Sequence, residues 1–139
     1  MEFETGKSMD TKILVVDDNP AIRKGLRVRL HAHGYQVLFA EDAISATAAL
    51  VTERPDLVIL DLGLPCGDGF VVMDRLHKND RLANIPVIVL TGRESDGNRD
   101  KAIQAGAAAF FQKPVEDGAL ILAIRRALDS RAGDQRFDD

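Results

Sequence analysis

Residues 12–20 read KILVVDDNP, an apolar run that closes on two adjacent aspartates and turns at once into a helix signal. Lys12 to Val16 is β-branched and lacks polar alternation, the pattern of a strand buried on both faces. Asn19 is suited to cap a helix, and Pro20 to its first position, where a missing N–H costs nothing. Asp17 and Asp18 therefore sit at the carboxyl end of a strand, the edge where open α/β sheets keep their sites. Asp and Asn also cap helices, and the dipole favours acids there. A second carboxylate needs a counter-charge, because the two repel. On this stretch alone a cation site and a capped turn both stay open.

The chain has 139 residues, 45% hydrophobic and 29% charged, which implies one globular domain with a full core. Its formal charge of −4 argues against a general nucleic-acid binder. Cys66 is the single cysteine, so no internal disulfide is possible. No apolar run approaches a membrane span, and MEFETGKSMD lacks the apolar stretch of a signal peptide; a cytosolic protein is expected. Gly6-Lys7-Ser8 resembles the end of a phosphate-binding loop, but Met1 stands where that motif needs glycine and no strand precedes it. Residues 1–10 are expected to be a flexible leader, 11–130 the folded domain and 131–139 a flexible tail.

Beyond the first strand, Ile22, Leu26 and Leu30 recur at helical spacing, with Arg23, Lys24, Arg27 and Arg29 between them. Gly34 ends that helix. Further strands are expected at about Tyr35–Ala40, Leu57–Leu60, Ile85–Leu90 and Ala107–Gln112. Helices are expected near Asp42–Glu53 and from about Val115 to Ser130. Five apolar strands, each followed by a helix, imply a doubly wound parallel α/β sheet with helices on both faces. Its carboxyl-end rim then collects Asp17, Asp18, Asp61, Thr91 and Lys113. Three clustered carboxylates suit a hard divalent cation such as Mg²⁺. Lys113 brings a compact positive charge and Thr91 a hydroxyl donor, the parts an in-line phosphoryl transfer onto an aspartate needs.

Asp17-Asp18, VILDLGLPCGDGF around Asp61, VIVLTGR around Thr91 and AGAAAFFQKP before Val115 resemble, in order, the receiver domain of bacterial two-component response regulators. The resemblance spans about residues 11–130. It implies a flavodoxin-like five-stranded sheet of order 2-1-3-4-5, Asp61 as phosphoacceptor, and Asp17, Asp18, Asp61 and the Gly63 carbonyl as Mg²⁺ ligands. Thr91 and Lys113 match the residues that contact the phosphoryl group, Gly92 the small residue beside that hydroxyl, and Phe110 the switch aromatic. The Lys113-Pro114 bond is expected to be cis. On labelling, Thr91 is expected to move toward the phosphoryl group and Phe110 to turn inward. The implied donor is a sensor histidine kinase or histidine phosphotransfer protein. A downstream target or a second copy is expected at the fourth helix, fifth strand and fifth helix, with Leu122 exposed there and Gly97 loosening the fourth helix.

Other residues have plainer readings. Pro65, Gly67 and Gly69 shape the loop after Asp61, Cys66 occupies it, and Phe111 points to the opposite face from Phe110. His31 and His33 fall on different sides of a helix. A flavodoxin would share the fold, but Asp17 and Asp18 would repel its phosphate. An aspartate-nucleophile phosphatase would place its nucleophile on the first strand with an acid two positions on, where this chain has Asn19. The expected function is a phosphorylation switch rather than an enzyme, either as a stand-alone receiver or as part of a longer regulator.

Overall fold

The computed structural model describes residues 11–64, 69–92 and 98–138, with side chains described as far as Ser130. Elements alternate along the chain: β1 (Lys12–Val16), α1 (Pro20–Ala32), β2 (Gln36–Ala40), α2 (Ala43–Glu53), β3 (Leu57–Leu60), α3 (Gly69–Lys78), β4 (Val87–Thr91), α4 (Asn98–Gln104), β5 (Ala109–Gln112) and α5 (Asp117–Asp138). All pairings are parallel, in the order β2-β1-β3-β4-β5.

Alternation along the buried strands divides the core in two. Ile13, Val15, Leu57, Ile59, Ile88 and Leu90 pack beneath α1 and α5, through Leu26, Leu30, Leu120 and Ile124. Leu14, Val16, Val58, Leu60, Val87 and Val89 pack beneath α2, α3 and α4. Phe110 belongs to the second layer and Phe111 borders the first, so the two rings do face opposite ways.

The helix starts follow from local chemistry. The Asn19 side chain accepts from the amides of Ala21 and Ile22, with Pro20 in the first turn. Asp42 and Ser45 form a capping box at α2, and the Ser45 amide holds the Asp42 carboxyl below its usual range. Gly34 closes α1 with φ 89°, a conformation that favours glycine.

Several boundaries differ from expectation. β2 starts at Gln36 because the Tyr35 amide bonds back to the Leu30 carbonyl. β4 starts at Val87 because Pro86 has no N–H for the ladder. β5 starts at Ala109 because the Ala107 amide is used on the Ala102 carbonyl at the end of α4. α5 starts at Asp117, where the Glu116 carboxylate accepts from the Ala119 amide. It runs to Asp138 rather than ending near Ser130, through a segment without proline. The Lys113-Pro114 bond is cis. Expectations on residues 1–10, Pro65, Cys66, Gly67 and Gly97 lie outside the described residues. Among those described, no helix is long and apolar enough to cross a membrane.

Candidate functional site

The sheet brings the carboxyl ends of β1, β3, β4 and β5 to one rim. The Asp61 amide donates to the Val16 carbonyl (3.0 Å), and the Lys113 amide to the Thr91 carbonyl (2.9 Å). Ladder bonds thus carry the backbone up to the reactive positions. Asp17, Asp61 and Thr91 are buried, and Asp18 is exposed beside them.

Lys113 links the acids. Its Nζ lies 2.7 Å from Asp17 Oδ2 and 3.1 Å from Asp61 Oδ2. The other Asp61 oxygen, Oδ1, accepts from the Thr91 hydroxyl (2.9 Å) and the Gly63 amide (3.0 Å). Burial opposes the charge on Lys113, but the hydrogen bond to Asp17 and the charges of Asp61 and Asp17 outweigh it, so its pKa rises above the usual lysine value. The Asp17 carboxylate also accepts from the Asn19 amide (2.9 Å).

Asp17, Asp18 and Asp61 each offer a carboxylate oxygen within 4.8 Å of the others. Carboxylates have about four lone-pair sites, so Asp17 and Asp61 keep acceptor capacity beyond the bonds described. Hard oxygens, with one acid open to solvent, fit a partly hydrated divalent cation. Gly63 is tied to the site through its amide, which donates to Asp61 and leaves its carbonyl out of that bond. Gly92 lies beside the lysine, where an added Cβ would be 4.0 Å from Lys113 Cδ, an ordinary contact.

Phe110 is 8% exposed, with the Arg99 guanidinium 6.0 Å from its ring centre. Its ring is thus inside, and Thr91 faces Asp61.

Two contributors were missed in the sequence. Arg23 Nη1 donates to the Asp17 carbonyl (2.8 Å), fixing the turn that carries the acids. One signal for it was available, since Arg23 follows the Asn19 cap by one helical turn. Gly69 approaches the backbone of Asp61 and Leu62 closely, which its place in the chain did not reveal.

A doubly wound parallel domain with an acid cluster bridged by an amine at its rim is a narrow class. Within it, the family model for the response regulator receiver domain matches residues 13–125, and the chain belongs to that family. It is 39% identical over 118 residues to the KDP operon transcriptional regulatory protein KdpE of Escherichia coli, covering 85% of this chain and 51% of that protein. It is 37% identical over 117 residues to the DNA-binding dual master transcriptional regulator RpaA of Synechocystis, covering 84% and 48%. The chain therefore spans about half the length of these relatives. A CheY-like response regulator receiver domain protein from Methanospirillum hungatei superposes with a TM-score of 0.83 at 31% identity, over 89% of this chain and 98% of that one.

Proposed function

We propose that Asp61 accepts a phosphoryl group from a phosphohistidine on a sensor kinase or phosphotransfer protein, and that this receiver domain passes the event on by a shift between two conformations. The observation that carries the reading is the convergence on Asp61 of an ammonium at Oδ2 and a hydroxyl at Oδ1. An Asp61 carboxylate oxygen attacks phosphorus, the P–N bond breaks, and the histidine nitrogen leaves with the electron pair. The product carries a charge of about −1.5 to −2, as other phosphoryl groups do. Lys113 is placed to offset it, and the Thr91 hydroxyl to exchange the carboxylate for a phosphoryl oxygen. Asp17, Asp18, Asp61 and the Gly63 carbonyl would hold Mg²⁺. When bound, that ion supplies charge neutralisation between the carboxylates and the incoming group.

Labelling stabilises the arrangement in which Thr91 faces Asp61 and Phe110 is buried, a population shift. The output surface is α4, β5 and α5, where Leu122 is half-exposed and shares a cleft with Arg99, Phe110 and Arg126. A downstream protein or second copy docks there, with no direct nucleic-acid contact by this domain.

The test is intact mass after incubation with a small acyl phosphate and Mg²⁺. One phosphoryl group should appear and be lost in Asp61→Asn or with chelator. Labelling that survives either change removes the proposal.

Magnesium should also stabilise the unlabelled fold, because a ligand of the native state alone raises stability by mass action. At about 100 times its dissociation constant the gain is about 2.7 kcal/mol. Thermal melts of the wild type and Asp17→Asn check it: the shift should shrink in the variant. An equal shift in both means that the ion binds elsewhere.

A further inference from the structure

Helix α2 carries apolar residues on its open face as well as on its core face. From Ala43 to Thr52 it contains no charged residue. Ala43, Ala46 and Leu50 face the core, as the sheet requires. On the outer side Ile44 is 71% and Val51 55% exposed, with exposed Ala48 between them at helical spacing. On a surface helix the side away from the core is normally charged or polar, and between Ala43 and Thr52 this one is not charged. The helix's threonines add to this. Thr47 and Thr52 donate their hydroxyls to the Ala43 and Ala48 carbonyls at 2.8 and 2.9 Å, which satisfies the donors within the helix.

The charges flanking this stripe say what covers it. Glu41 precedes the helix and Arg54 follows it, and both are exposed. The sequence midpoint of Ile44 and Val51 lies between Thr47 and Ala48, and so does that of Glu41 and Arg54. A single two-fold axis at that point, relating two antiparallel copies of α2, therefore sets Ile44 against the other copy's Val51 and Glu41 against its Arg54. Each pair occurs twice, as an isologous contact demands. Ala48 at the centre permits close approach, and the helix dipoles oppose each other. Arg75, whose Nη1 donates to Thr47 Oγ1 at 3.4 Å, is the charge that flanks the stripe nearest the axis.

We infer that the outer face of α2 is a self-association surface, closed by a second copy of this chain through the Ile44–Val51 stripe with reciprocal Glu41–Arg54 pairs. The surface is separate from the α4, β5 and α5 face and does not depend on the rim chemistry. One helix stripe is smaller than a standard interface of about 1,200–2,000 Å². The dimer is accordingly weak, with a dissociation constant of about 10–100 µM.

Sedimentation equilibrium of the unlabelled chain from about 1 µM to 1 mM reads it directly, a range that brackets that constant. The wild type should move from monomer to dimer, and Ile44→Glu should stay monomeric. Glu41→Arg alone and Arg54→Glu alone should each weaken the dimer about tenfold, because like charges then face each other. The double variant Glu41→Arg/Arg54→Glu should recover wild-type association, because the opposite charges are then restored across the contact. Circular dichroism and thermal melts on each variant confirm that the fold is retained. A wild type that is monomeric throughout, a double variant that fails to recover, or a dimer lost in Leu122→Asp but kept in Ile44→Glu overturns the inference.

Discussion

Lys113→Met is expected to destabilise the metal-free protein by about 3 kcal/mol, since removing one partner of a buried ion pair leaves uncompensated charge. The lysine is the shared counter-ion of two largely buried acids, at 2.7 Å from Asp17 and 3.1 Å from Asp61. Methionine keeps the stem's packing and deletes only the charge and its donors. Its folded-state pKa is raised, so its contribution is fully present below the unfolded lysine value of about 10.4 and is lost as pH rises through the higher folded value. The gap between wild type and variant in urea midpoints, measured with chelator present, should therefore hold steady from about pH 7 to 10 and narrow only above that range. A divalent cation should close part of the gap, because the variant's carboxylates no longer share their lone pairs with an ammonium. Equal midpoints at pH 8 would mean that the acids do not depend on Lys113. Loss of labelling in a variant stabilised by Mg²⁺ would separate the lysine's part in transfer from its part in folding.

That lysine illustrates what was legible in the chain. Asp17, Asp61, Thr91 and Lys113 each close an apolar strand, and in a parallel sheet every such closure falls on the same rim. Strand count and rim composition thus follow from one-dimensional pattern. The strand order does not; it came from the resemblance to receiver domains, and the β2-β1-β3-β4-β5 sheet agrees with it. Element ends were less legible wherever an amide had a competing partner. Tyr35 and Ala107 turn back to the preceding helices, and Glu116 caps α5 with its own side chain. The inward position of Phe110 was also illegible, because a ring on an edge strand can face either a neighbour or solvent with little change in backbone. The open face of α2 was hidden for a related reason: apolar residues recur on several sides of this helix, and only the sheet decides which side is covered.

Gly69→Ala is expected to lower stability by about 1–3 kcal/mol and to slow labelling of Asp61, through overpacking at the start of α3. A Cβ built on Gly69 would lie 2.7 Å from the Asp61 carbonyl oxygen and 3.0 Å from Leu62 Cα. Both are backbone atoms, so neither can rotate away. The segment they belong to is held by the Asp61 amide on Val16 and by the Gly69 amide on Leu62. Relief therefore requires α3 to lift or the phosphoacceptor's own peptide to move. Alanine's better helix propensity, worth at most about 1 kcal/mol, offsets only part of this. Gly25→Ala is the internal comparison. It lies in the middle of α1, where an added Cβ meets nothing within 4 Å. There the same substitution should stabilise by about 0.5–1 kcal/mol and leave labelling unchanged. Opposite signs at the two glycines, read from urea midpoints and from the initial rate of mass gain, are the expected result. If Gly69→Ala instead behaves like Gly25→Ala in both measurements, α3 does not press on the phosphoacceptor loop, and the position of Asp61 is set by the sheet alone.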